Sequence, residues 1–253
     1  MQQRDANILK KYDGLLQEYA NRVMPHFPAY LEKQRQPFNP FFKKLFDFYL
    51  FTSYLIDSKL FPDDDKLVGL RVLFAKGCLS FFGIYSCLQN GLSSEGAVLL
   101  RSLFETLLNE KLILAENTEE RAKLFYEFHF VEKWNNLEAN RRLLREGKTT
   151  QATFDKTYDG IKLNQVTQDY DRVKSNYHPT RPYHWAWTIF KSETKGNNPS
   201  ISFIADKLGF AEDYVKVYQA LSLSVHGSPN ILNLVRNEKG ISMAPNFTRT
   251  VYT

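Results

Sequence analysis

Apolar residues recur along this chain at three- and four-residue intervals, in runs separated by short stretches of Pro, Gly and capping residues. That period predicts amphipathic helices. Leu9, Leu16, Tyr19 and Val23 predict a first helix over 5–24, and Pro25, Pro28 and Pro37 then break the pattern. Asn39-Pro40 supplies a cap with proline at the first helical position, so a second helix is predicted over 41–60. It is dense in rings: Phe41, Phe42, Phe46, Phe48, Tyr49, Phe51 and Tyr54. Pro62-Asp63-Asp64-Asp65 opens a third helix, with acidic side chains against the positive end of the dipole, and Asn90-Gly91 stops it near Gln89.

The fourth helix, 93–115, is apolar nearly all round, which predicts a central, buried element. Asn117 followed by Glu120 has the form of a capping box and predicts a fifth helix to about Arg145. Its inward face is Phe125, Phe128, Val131, Trp134 and Leu137. A sixth, more polar helix is predicted over 153–176. From Tyr177 to Trp185 the prolines forbid a helix, and the rings and histidines predict an ordered aromatic loop. The stretch 195–199 reads as an exposed loop. A short helix over 200–208, stopped by Gly209, precedes a last helix over 211–226. Lys239-Gly240 has the character of a turn between two short extended pieces.

The fold predicted is therefore all-α. It is a single-domain helical bundle over 1–253, with long antiparallel helices and an aromatic-rich loop before the last ones. Within it, 1–60 supplies N-terminal helices, 61–229 the core and 230–253 a tail.

Composition adds detail. The chain is 43% apolar and 15% aromatic, so its core is expected to be built from rings as much as from leucine. Against 28 acidic residues stand 33 basic ones, a net charge of +5 that permits RNA as a partner without requiring it. The polar start, Met1-Gln2-Gln3-Arg4, predicts no leader, and Lys76 interrupts the most apolar run, so no membrane association is expected. Cys78 and Cys87 fall on one helix, roughly 13 Å apart along its axis, too far for a disulfide. A reduced, cytoplasmic setting follows.

Several chemistries have no residues to carry them. There is no G-x-x-x-x-G-K-[ST], no G-x-G-x-x-G, no H-E-x-x-H and no C-x-x-C, and no His has an acidic residue three positions before it. No metal site and no cofactor are expected. Three polar groups remain. On the fourth helix, Arg101, Glu105 and Asn109 lie one turn apart on a face that also carries Val98, Leu108 and Leu112. This is either a structural ion pair or a site, since a buried charge needs a partner. On the last helix, Tyr218, Ser222 and His226 form a stripe, with His226 either a base or a cap for the final carbonyls. In the loop, Tyr177, His184 and Trp185 either stack a ligand or form a lid over the bundle end.

At these residues the chain resembles the bacterial domain of unknown function family 5677. The resemblance rests on L-x-R-x-x-x-E, here Leu99 to Glu105, and on S-x-x-x-H, here Ser222 to His226 followed by Gly227, and it covers about 67–229. The family looks distantly similar to HEPN domains, many of which are metal-independent ribonucleases of toxin and defence systems with R-x₄₋₆-H on one helix. Gln219, Ala220 and Leu221 stand where that Arg would fall, so Arg101 would have to supply the cation from another helix. The resemblance implies His226 as base, Arg101 as cation, and Glu105 and Ser222 beside them. Asn109, Tyr218, Tyr177, His184 and Trp185 would then hold an unpaired RNA base. The alternative is a non-catalytic binding or interaction module with a buried Arg-Glu-His pocket. A homodimer suits either reading.

Overall fold

The computed structural model describes residues 13–14, 17–18, 21, 27–57, 65–180, 184–225, 234–237 and 240–243. Most of the predicted first helix, the acidic opening 62–64 and His226 lie outside this set. The described chain is helical, with one small hairpin. The helices are α1 (Phe27–Arg35), α2 (Asn39–Asp57), α3 (Val68–Gln89), α4 (Ser93–Ala115) and α5 (Thr118–Arg145). Then come α6 (Gln151–Thr157), α7 (Gly160–Val173), α8 (Trp187–Phe190) and α9 (Ile201–Lys207). The last, α10, is built in three segments: Ala211–Asp213, a π-helical Tyr214–Gln219, and Ala220–Val225. β1 (Leu234–Asn237) and β2 (Gly240–Met243) pair antiparallel with Asn237 opposite Gly240, and the predicted turn residue Lys239 lies outside the described residues.

Contacts divide the chain into two compact units, one of residues 1–54, 78–102 and 220–253, the other of 55–77 and 103–219. In the first unit, α2 runs antiparallel to the second half of α3 through rings. Tyr49 stacks on Phe82 at 4.6 Å, Phe48 meets Phe81 edge-on at 5.2 Å, and Phe42 and Phe46 both meet Tyr85. Phe42 is buried, and the first half of α4 comes so close to α3 that a Cβ on Gly83 would stand 2.8 Å from a Leu99 methyl.

The second unit holds the main core. Leu73 of α3, Phe104, Leu108, Leu112 and Ile113 of α4, and Ala122, Leu124 and Val131 of α5 are buried together with Val173, Tyr177, Trp185, Phe190 and Ile204. Gly69 lets α3 meet α5: a Cβ there would collide with the Ala122 carbonyl. Antiparallel to α5 runs α7, with Trp134 stacked on Tyr170 at 4.6 Å and 2° and Arg141 5.5 Å above the Trp134 ring. Beneath them Leu137, Phe154 and Val166 form a smaller apolar cluster.

Several local expectations change. Pro28 sits in the first turn of α1, where its missing N–H breaks no bond, so the proline-rich stretch does form a helix. Asn117 has φ 46° and ψ 48° and caps nothing with its side chain. A capping side chain needs extended backbone at that position, and the two-residue turn into α5 uses a left-handed one instead. The predicted sixth helix is two, α6 and α7, because Asp159 leaves the helix and caps the Lys162 amide at 2.8 Å. α4 is not buried all round. Leu108 and Leu112 are sealed, but Val98 is 39% exposed and Leu114 faces solvent. Lys76 does not prevent α3 from being, among the described residues, a helix long and apolar enough to cross a membrane. A core helix has the same length and composition.

Candidate functional site

The polar positions of α4 meet aromatic donors. In the second unit Glu105 is half-buried, and its Oε1 accepts from the Tyr218 hydroxyl at 2.7 Å. Tyr218 is buried on the π-helical segment of α10, stacked on Tyr214 at 5.1 Å and tilted against Phe104 at 6.0 Å. π-Helical turns are rare and occur disproportionately at functional positions. One turn further along α4, Asn109 Oδ1 accepts from Trp185 Nε1 at 2.7 Å, and Phe125 packs edge-on against that indole at 5.6 Å. The geometry thus joins four of the candidates in two pairs, Glu105 with Tyr218 and Asn109 with Trp185.

The loop residues are core, not platform. Trp185 is 3% exposed and Tyr177 2%, so both rings lie inside the core of the second unit. Tyr177 donates to the Leu124 carbonyl at 2.8 Å, and burial, with Glu127 nearby, pushes its phenol well above the usual range. His184 Nδ1 accepts the Ala186 N–H at 3.1 Å, which puts the ring proton on Nε2. Burial lowers the His184 pKa to about 4, so the ring is neutral at pH 7. Arg101 and Ser222 are half-buried and belong to the first unit.

Sequence reading missed Glu110. Its carboxyl lies against α3, where a Cβ on Gly77 would stand 3.8 Å from Oε1, and burial raises its pKa against the opposing pull of Lys111. The readable signal was a glycine in the middle of an apolar helix, which marks a close approach. Among the described residues no three His, Cys, Asp or Glu side chains converge as a metal site would need.

Concave surface in the second unit lies along α5 and α7. A groove of about 670 Å³ is lined by Lys123, Tyr126, Glu127, Phe130 and Arg172, with Lys66 and Glu119, paired at 3.0 Å, at its edge. The Arg172 guanidinium sits 4.9 Å from the Phe130 ring. A second hollow, about 460 Å³, lies between Lys133 and Asn136 of α5 and Lys162 and Asp169 of α7.

Compared with known proteins, residues 68–241 match the family of unknown function DUF5677. The chain belongs to this family. The DUF5677 stretch runs from the start of α3 into β2 and contains both short motifs, Leu99 to Glu105 and Ser222 to His226. No curated protein and no solved structure matches the chain.

Proposed function

We propose that this DUF5677 chain is a non-catalytic binding module whose ligand sits in the groove along α5, bounded by the start of α3 and by Arg172 of α7. One observation carries the reading: Glu105 and Asn109 both accept hydrogen bonds from buried aromatic side chains, so the polar line on α4 serves to fix the core. The burial of Tyr177 and Trp185 points the same way, because it removes the stacking surface an RNA-cleaving site would use. The groove along α5, by contrast, is open and within the size range of small-ligand sites. Tyr126 and Phe130 give it apolar walls, Lys123 and Arg172 cations, and Glu120 and Glu127 anions. Such a lining suits a small ligand carrying both signs of charge on an apolar body, such as an amino acid or a short peptide.

A thermal-shift screen of amino acids, dipeptides and nucleotides tests this. The expected result is a rise in Tm with a ligand bearing both charges, lost in Arg172→Ala and in Phe130→Ala. The RNA-cleaving reading expects hydrolysis of RNA in EDTA that is lost in His226→Ala. That outcome would replace the proposal.

A further inference from the structure

Among the described residues of the first unit, α2 keeps large apolar side chains exposed. After α2 has used its rings against α3, Phe48 is still 53% exposed, Leu50 50%, Phe51 56% and Tyr54 64%. On α3, two residues before Phe81, Leu79 is 68% exposed. No charge lies within 48–56 of α2 or within 77–90 of α3. At about 150–250 Å² per large ring, Phe48, Phe51 and Tyr54 alone leave roughly 350 Å² of apolar surface in water, and Leu50 and Leu79 add to it. A monomer's largest apolar patch is usually about 300–600 Å². Homodimer interfaces are about 65% apolar, so apolar side chains of this kind sit at the centre of a larger contact. A standard stable interface needs about 800 Å² per partner.

We infer that this face is where a second copy of the chain docks, through α2 packed antiparallel on its counterpart. The layout of α2 is self-complementary. Its amino-terminal half carries Lys43, Lys44 and Asp47, and its second half is uncharged to Ile56. A two-fold axis passing at Phe51 lays Phe48 of one copy over Tyr54 of the other and Phe51 over its own counterpart. It also brings Lys43 and Lys44 to the carboxyl-terminal end of the partner's α2, where the helix dipole favours cations. One patch then serves both copies, the isologous contact that a closed dimer requires. A lipid surface is the competing occupant, because an apolar helical face with nearby lysines also suits a bilayer interface.

Light scattering on the full chain after size-exclusion chromatography is expected to give twice the chain mass. Leu50→Glu and Tyr54→Glu, each at a half-exposed position, are expected to halve it with unchanged far-UV circular dichroism. Geometry is tested by oxidation in a Cys87→Ser background: Leu50→Cys should link to its own copy, and Phe41→Cys should not. A monomeric wild type, or a dimer that survives both glutamates, overturns the inference. So does a monomeric wild type that floats with phosphatidylcholine–phosphatidylglycerol vesicles and loses this in Tyr54→Glu, a result that assigns the face to lipid.

Discussion

The Tyr218 hydroxyl and the Glu105 carboxylate meet at 2.7 Å although 113 positions separate them in the chain. The bond ties the middle of α4 to the π-helical turn of α10. Tyr218→Phe keeps the ring and its stack on Tyr214 but leaves a half-buried carboxylate short of a donor. Loss of a hydrogen bond to a charged group costs about 1.5–3 kcal/mol, and urea unfolding should show a loss in that range. Glu105→Gln should cost less, since the amide oxygen still accepts. The double variant should cost less than the two single losses added together, as expected for residues in one network.

Gly69 makes the sharpest packing prediction. A methyl group there would run into the Ala122 backbone carbonyl, and backbone cannot step aside as a side chain can. Gly69→Ala should therefore destabilise by about 1–3 kcal/mol, although alanine is the better helix former. The same change at Gly160, the first residue of α7, meets nothing within 4 Å and should be neutral or mildly stabilising. Thermal denaturation of the two variants side by side separates overpacking from backbone entropy.

His184 predicts how stability depends on acid. Its pKa is about 4 in the folded chain against 6.5 for the free side chain, so between those values the unfolded state holds the proton and the folded state does not. Its contribution to stability is therefore complete above pH 6.5, falls as the pH drops towards 4, and falls no further below it. The shift corresponds to about 3 kcal/mol. Urea midpoints measured from pH 7 to pH 4 should drop steeply in the wild type and less steeply in His184→Gln.

Helix caps can be ranked. Thr150, Asp159 and Ser200 each accept an amide of the following turn, so alanine at any of the three should cost about 1 kcal/mol. Asn117, with left-handed backbone and no capping bond, should behave in the opposite way. Asn117→Gly should be neutral or stabilising, because glycine adopts that conformation without strain. Chemical denaturation of the four variants checks the ranking.

Much of this fold is legible in the sequence because its signals are local. The ends of α3 and α5 follow from Asn90-Gly91 and Gly147, where Gly91 and Gly147 take φ 69° and 67°. The inward face of α5 follows from its period, with Val131 and Leu137 fully buried. What failed depended on tertiary context or on competing local options. Asn117 has the letters of a cap, but the short turn it occupies decides its backbone. Asp159 looks like one more polar residue in a polar helix, yet its side chain starts a new one. The candidate site is legible to a similar degree. Spacing along α4 picks out Glu105 and Asn109, but it cannot tell that Tyr218 and Trp185 reach them from 113 and 76 residues away. Nor can composition tell a ring in a loop that awaits a ligand from one that closes the core, and Tyr177 and Trp185 are of the second kind.

The three tryptophans, Trp134, Trp185 and Trp187, all fall in the second unit, in three different surroundings. Trp134 stacks on Tyr170 with Arg141 over its ring, Trp185 is sealed in the core, and Trp187 donates to the Gly196 carbonyl at 3.0 Å. The first unit has abundant Phe and Tyr but no indole. Intrinsic tryptophan fluorescence is therefore a private signal of one half of the molecule, while far-UV circular dichroism reports on the helices of both. Superimposable melting curves from the two methods would mean that the halves unfold as a single cooperative block. Curves that separate would give the order in which they come apart, with no label attached to the protein.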